Sequence, residues 1–249
     1  MTSRPGRVAL ITGGSSGIGL ACGRMLVDKG YDVVLSARRP GPLREAAESI
    51  GARWAAGDSA DEEQVESIVS TTGHVDLVIH AAGVMAGTFV RKERAADFDA
   101  VVRTNLRSAF VVTAACLPRM TSGGRFIFVS SSSAHAPQPG KAAYSASKAG
   151  LNAFAGALAG EVDRDGISVH VVTPAPVATP MLDDVHFPMI SLAVDDVAQA
   201  IVWLDGLSPA VVLPELQMRA TTRGPFAPDP VVPAAARALG RTEIAGEQR

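Results

Sequence analysis

A short apolar run, Arg7-Val8-Ala9-Leu10-Ile11, leads directly into Thr12-Gly13-Gly14-Ser15-Ser16-Gly17-Ile18-Gly19 and then into a helical pattern carried by Leu20, Met25 and Leu26. A strand, a glycine-rich turn and a helix in that order leave few folds open, since the run belongs in a sheet and the helix must cover one face of it. The corner between them also suits phosphate: glycines let the backbone approach a pyrophosphate, and a helix amino end favours negative charge. Its spacing, Gly-x-x-x-Gly-x-Gly from Gly13, Gly17 and Gly19, is not the Gly-x-Gly-x-x-Gly of many dinucleotide sites. By itself such a loop is equally a tight turn.

Strand-like and helix-like runs continue to alternate downstream, which predicts an α/β fold with a doubly wound, Rossmann-type parallel sheet of seven strands and helices on both faces. The strands are expected at Val8–Thr12, Asp32–Ala37, Arg53–Ala56, Val75–His80, Arg125–Ser130, Ser168–Thr173 and Ala210–Met218. With 249 residues, 47% hydrophobic and 19% charged, the chain can cover both sheet faces as one domain over 1–220. A tail over 221–249 crowds Pro225, Pro228, Pro230 and Pro233 together and reads as an extended surface segment, with a neighbouring subunit as one place to pack. A net charge of −2 gives no electrostatic reason for nucleic acid or an anionic membrane as partner. Met1 to Gly6 lead straight into the first strand, so neither a signal peptide nor a membrane span is expected and the cytoplasm is the default location. Cys22 and Cys116 are too few for a disulfide framework and read as buried thiols. His74, His80 and His170 lack ligand spacing, so no metal is expected.

Tyr144 and Lys148, in Tyr144-Ser145-Ala146-Ser147-Lys148, are four apart and share one helix face. At a separation of about 4 Å and an effective dielectric near 20, attraction between phenolate and ammonium is roughly 4 kcal/mol, or about three units off a tyrosine pKa near 10. That would bring the phenol toward proton transfer at neutral pH. An isolated pair of this kind is also an ordinary amphipathic-helix contact.

Taken together, these residues resemble the short-chain dehydrogenase/reductase family over about Arg7 to Met218. Thr12, Gly13, Gly17 and Gly19 match its Thr-Gly-x-x-x-Gly-x-Gly loop, and Tyr144 and Lys148 match its Tyr-x-x-x-Lys motif. The family serine thirteen residues before the tyrosine falls on Ser131, and the family asparagine on Asn105. The resemblance implies reversible hydride transfer between a nicotinamide and a carbonyl or alcohol carbon. Tyr144 would act as proton donor, Ser131 would bind the carbonyl oxygen, Lys148 would tune the phenol and bind the nicotinamide ribose, and Asn105 would hold a water leading to solvent. The loop residues Ser15, Ser16 and Ile18 would join the glycines around the cofactor. Asp58 and Ser59 would lie beside the adenine, Ala81, Ala82 and Gly83 beside the adenosine half, and Pro174, Val177 and Thr179 at the carboxamide.

The second strand ends Ser36-Ala37-Arg38-Arg39 where an NAD site carries an acid, and its one nearby acid, Asp32, stands at the wrong end. Guanidinium pairs well with a 2′-phosphate, so Arg38 and Arg39 favour NADP(H) over NAD(H), unless they are simply solvated surface charges. Two departures from the family pattern stand out. Asn-Asn-Ala-Gly becomes His80-Ala81-Ala82-Gly83, which loses an amide that ties the central strands; Pro-Gly becomes Pro174-Ala175, which is strained if that position needs φ > 0. A substrate lid is expected near 180–194, with Met181, Leu182, Phe187, Met189 and Ile190 implying a small hydrophobic substrate, although an apolar lid is also just a packed surface segment. His135, and His186 with Asp183 and Asp184, are either substrate contacts or plain loop residues. Helices around Asp97–Met120 and Ala142–Asp163 resemble the family's dimer contact, the second rich in Ala and Gly, and imply a homodimer or homotetramer. An epimerase, a lyase or a nucleotide-sensing protein on the same scaffold remains the alternative to a reductase.

Overall fold

The apolar runs pair into one parallel sheet, β1 (Val8–Thr12), β2 (Asp32–Ala37), β3 (Arg53–Ala56), β4 (Val75–His80), β5 (Met120–Val129), β6 (Ser168–Pro174) and β7 (Glu215–Met218), in the order β3-β2-β1-β4-β5-β6-β7. The computed structural model describes residues 6–183, 185, 187–223 and 227–239. The helices are α1 (Gly17–Val27), α2 (Pro40–Ile50), α3 (Glu62–Ser70), α4 (Ala95–Val102), α5 (Ser108–Cys116), α6 (Ala142–Val162), α7 (Val194–Asp205) and a short α8 (Ala234–Ala238). The strand order reverses between β1 and β4, the switch point at which open α/β sheets bind ligands beyond their carboxyl ends.

Each central strand is buried on both faces, and its period-2 alternation divides it between two cores. Ile11, Leu35, Ile79, Ile127 and Val172 face Cys22 and Leu26 of α1, Leu43 of α2 and Val197 and Ile201 of α7. Leu10, Val34, Val78, Phe126, Phe128 and Val171 face Val65 and Ile68 of α3, Val111 and Val112 of α5 and Leu151, Ala155 and Leu158 of α6. Both cysteines are buried free thiols whose pKa burial raises, that of Cys116 to about 12.

Three expectations need correction. The helix foreseen through Asp97–Met120 is α4, a π turn over Arg103–Arg107, α5 and a 3-10 turn over Leu117–Arg119 that holds Pro118; β5 then starts at Met120, five residues earlier than expected. Proline ends the helix, and Gly123, at φ +87°, lets the early part of β5 bend. The stretch Ala95–Arg119 is long and apolar enough by composition to cross a membrane, yet α5 buries one of its faces on the sheet. The last strand is shorter than expected, Glu215–Met218, because Val211 closes a turn onto Ser208 and Pro214 has no N–H to donate. The tail is not simply extended either: Val231 bridges Met189, and the alanine-rich α8 follows Pro233, a composition that favours helix. Its described part packs on its own chain; Pro225 and residues 240–249 lie outside the described residues, as do Met1–Pro5.

Candidate active site

At the carboxyl end of β1 the glycines are required sterically. Gly13 has φ +68°, and a Cβ there would stand 2.8 Å from the backbone of Ala81; a Cβ on Gly19 would stand 2.5 Å from the Gly13 carbonyl oxygen. Ser16 offers no side-chain cap and the first turn of α1 carries no acid, which leaves this helix end to an outside anion. Beyond β2, Arg38 and Arg39 are exposed, and their side chains make no hydrogen bond or close ion pair among the described residues, although the Arg38 charge is felt by Asp58. A glycine corner at a helix amino end fits the phosphates of a dinucleotide. Asp58 sits nearby with Arg103 Nη1 2.5 Å from its Oδ2. Burial pushes its pKa up, but the Ala60 N–H and Arg103 outweigh that and hold the carboxyl below its usual range.

Tyr144 and Lys148 follow one another along α6, both buried, on a cavity of about 760 Å³ that Ser131 also lines. Lys148 Nζ donates to the Val129 carbonyl oxygen at 2.8 Å, at the end of β5, and burial lowers its pKa to about 8. The phenol departs from expectation. Burial raises the Tyr144 pKa, and a hydrogen bond with Ser131 that works the other way does not overcome it. Desolvation of a phenolate outweighs whatever Lys148 provides while its ammonium is engaged by a carbonyl. Burial thus favours the neutral form of the Tyr144 phenol. Ser131 Oγ accepts from the Ser133 N–H at 3.2 Å, which fixes the turn that presents it.

Asn105 is fully buried in the π turn. Its Oδ1 accepts from the Val84 N–H at 2.8 Å, and its Nδ2 donates to the Val84 carbonyl at 3.0 Å and to Ser147 Oγ at 3.0 Å. Unlike the other expected site residues it does not line the cavity; it joins the loop after β4 to α6. A Cβ on Gly83 would stand 3.4 Å from Asn105 Oδ1 and 3.5 Å from Lys148 Nζ, so both groups converge on that glycine.

The family profile for short chain dehydrogenases matches residues 7–187. This chain is a member of the short-chain dehydrogenase/reductase family. It is 36% identical over 188 residues to acetoacetyl-CoA reductase of Cupriavidus necator, a match that covers 71% of this chain and 76% of that one. It is 32% identical to the 3-oxoacyl-[acyl-carrier-protein] reductase FabG of Rickettsia prowazekii over 190 residues, 75% of this chain and 79% of that one. The crystal structure of BdcA in complex with NADPH matches with a TM-score of 0.78 at 29% identity, across 87% of this chain and 93% of that one. Membership makes the chain an NAD(P)-dependent oxidoreductase.

Every short-chain dehydrogenase residue anticipated for the cofactor lines this one cavity, from Gly13, Ser15, Ser16, Gly17, Ile18 and Gly19 through Arg38, Arg39, Asp58 and Ser59 to Ala81, Ala82, Gly83, Pro174, Val177 and Thr179. The two departures from the family pattern are harmless here for physical reasons. No described residue other than glycine has a positive φ, so Ala175 is unstrained, and its N–H donates to the Met218 carbonyl at 2.7 Å. At β4 the strand tie is made by His80 instead of an amide. Thr12 Oγ1 lies 3.1 Å from His80 Nδ1 and Ser108 Oγ 3.0 Å from Nε2, while Ser108 donates to the Thr104 carbonyl and Thr12 accepts from the Ala82 N–H. Those bonds all fit the Nε2–H tautomer, and burial, with Lys148 as a second influence, pulls the His80 pKa down to about 3.

The lid residues Met181, Leu182, Phe187 and Met189 line the cavity, and Val177–Leu192 and Met189–Val231 bridges hold the segment. His135 does not line it; its Nε2 lies 2.6 Å from Glu215 Oε1. His186 and Asp184 lie outside the described residues. Lys141 also lines the cavity, although it belongs to none of the family motifs. The sequence held one signal for it: Lys141 stands three residues before Tyr144, as Lys148 stands four after.

Proposed function

We propose that this chain is an NADP(H)-dependent reductase of small, largely apolar carbonyl compounds, working reversibly on the corresponding secondary alcohols. The observation that carries the reading is the convergence of Ser131, Tyr144 and Lys148 on one cavity that Arg38 also lines. The nicotinamide, when bound, supplies or accepts the hydride. In the reducing direction Ser131 holds the carbonyl oxygen and Tyr144 Oη gives its proton to that oxygen as charge develops, a role that fits a phenol kept neutral by burial. Lys148 holds the nicotinamide ribose, and Asn105 is a positioning residue that keeps the loop after β4 against α6. Gly13, Gly17 and Gly19 hold the pyrophosphate, and Arg38 and Arg39 hold the 2′-phosphate. The lid, about 180–194, is part of the catalytic unit of residues 1–220.

A dimer or tetramer fits the outer face of α6. Gly156 and Gly160 there meet open space, and Phe98 and Phe110 are exposed beside it on α4 and α5, so light scattering should show no monomer. The deciding experiment is calorimetric titration with NADPH and with NADH. NADPH should bind at least about tenfold more tightly, and Arg38→Asp should abolish that preference, since a paired guanidinium–phosphate contact is lost and a repulsive charge added. Equal affinity for both cofactors in the unaltered chain would overturn the NADP(H) assignment.

A further inference from the structure

The wall of the cavity that Tyr144 lines is not uniformly apolar. Lys141, just before α6, lines the cavity together with Tyr144 and Lys148 of that helix. Gln138, Ser132 and Ser133 also line the cavity. Lys141 is half-buried, and its Nζ has one hydrogen bond among the described residues, to the thioether of Met85 at 3.4 Å. A thioether is a weak acceptor for an ammonium. No carboxylate among the described residues forms an ion pair with Lys141. Glu93 stands across Gly87 from it, near its Cα rather than its ammonium: a Cβ on Gly87 would lie 3.5 Å from Glu93 Oε1 and 3.6 Å from Lys141 Cα. Burial lowers the Lys141 pKa, as happens when an ammonium loses water without gaining a counter-charge.

We propose that Lys141 supplies the counter-charge for a substrate carboxylate, and that the chain reduces oxo acids whose carboxylate flanks the reacting carbonyl and whose apolar remainder faces Met181, Leu182 and Phe187. The proposal rests on the carbonyl-reductase reading above and narrows its substrate class. Lys141 immediately precedes α6, three residues before Tyr144, and lines the same cavity, a placement that suits a carboxylate close to the reacting carbonyl. In the reaction the carbonyl carbon accepts hydride from NADPH, the carbonyl oxygen takes the Tyr144 proton, and the carboxylate is unchanged, giving a hydroxy acid and NADP+.

The test is NADPH oxidation with benzoylformate and with its methyl ester, which differ only in the negative charge. The unaltered protein should favour the acid by at least about tenfold in kcat/KM, mainly through KM, as expected for a half-desolvated charge pair. That acid-to-ester ratio should fall at least about tenfold in Lys141→Met and Lys141→Gln and recover in Lys141→Arg, with the unfolding temperature of each variant followed in parallel. A merely structural role for Lys141 would lower both rates together and leave the ratio in place, and that result overturns the proposal, as does an unaltered protein that reduces the ester at least as well as the acid. Turnover of an uncharged ketone with neither benzoylformate nor its ester would sink the oxo-acid class and leave the reductase reading standing. Failure to oxidise NADPH with any carbonyl would overturn the reductase reading itself.

Discussion

The two ends of the cavity are held by different means. At the chemical end the groups that surround Tyr144 and Ser131 are tied to the backbone of buried strands or the loops that follow them: Lys148 to Val129, Asn105 to Val84, and Thr12 with His80 to the start of the loop at Ala82. At the lid the ties among the described residues that reach beyond neighbouring turns are two isolated bridges, Val177–Leu192 and Met189–Val231, and one bond from the Ala235 N–H to the Asp183 carbonyl at 2.9 Å. Proton transfer needs donor and acceptor fixed within a fraction of an ångström, and a sheet with both faces covered supplies that rigidity. Substrate fit is a matter of wall shape, which a thinly tied segment can change without moving Tyr144. The contrast predicts that variants at the chemical end act on kcat or on global stability, and variants at the lid on KM.

The largest effect belongs to Tyr144→Phe. Removal of the proton donor should lower the single-turnover rate of carbonyl reduction about a thousandfold, within the range for loss of a general acid, while NADPH affinity by calorimetry falls far less. A loss of less than about tenfold would mean that another group delivers the proton, and the division between the two ends would lose its basis.

His80 probes the same end through stability. Its imidazole has a pKa near 6.5 in the unfolded chain and about 3 in the fold, so the unfolded state binds the extra proton between those values. The stability it contributes is whole above pH 6.5 and is lost as pH falls toward 3, by roughly 1.4 kcal/mol per pH unit, or about 2 kcal/mol between pH 8 and pH 5. His80→Asn should start about 1 kcal/mol less stable at pH 8, because one amide cannot span both Thr12 and Ser108, yet lose less than the unaltered chain on acidification. Urea midpoints at the two pH values measure this. Equal acid losses in both proteins would assign the sensitivity to other groups.

The same contrast explains what could be read in the sequence. β1 through β4 and the cofactor corner were legible to the residue, because glycine spacing, apolar period and strand length are local properties. β5, β7 and the tail were not, since their limits depend on Pro118, Pro214 and a bridge between Met189 and Val231 that joins residues distant in sequence. In the site, residue identities were legible and protonation was not. The Coulomb argument for a lowered Tyr144 pKa treated Lys148 as a free ammonium, whereas the fold buries the phenol and engages the lysine with Val129. The loss of an amide at Ala81 looked destabilising because the sequence does not reveal that His80 reaches Thr12 on one side and Ser108 on the other. Lys141 was overlooked for a related reason: a lone lysine means little until its surroundings are seen to lack a carboxylate.

The smallest effect tests the lid from its outer side. Ala236, in α8, is fully buried yet belongs to neither sheet-face core, and its neighbour Ala235 bonds the lid at Asp183. Ala236→Asp would place an unpaired carboxylate there, so α8 should detach rather than bury the charge. With the two main cores untouched, the unfolding temperature should fall by only about 2 °C. The KM for an apolar ketone should rise about threefold while kcat stays within about twofold, because the lid wall shifts and Tyr144 does not. A kcat that fell in step with Tyr144→Phe would show that the tail reaches the chemical end, and the lid would then be part of the proton-transfer machinery rather than a wall beside it.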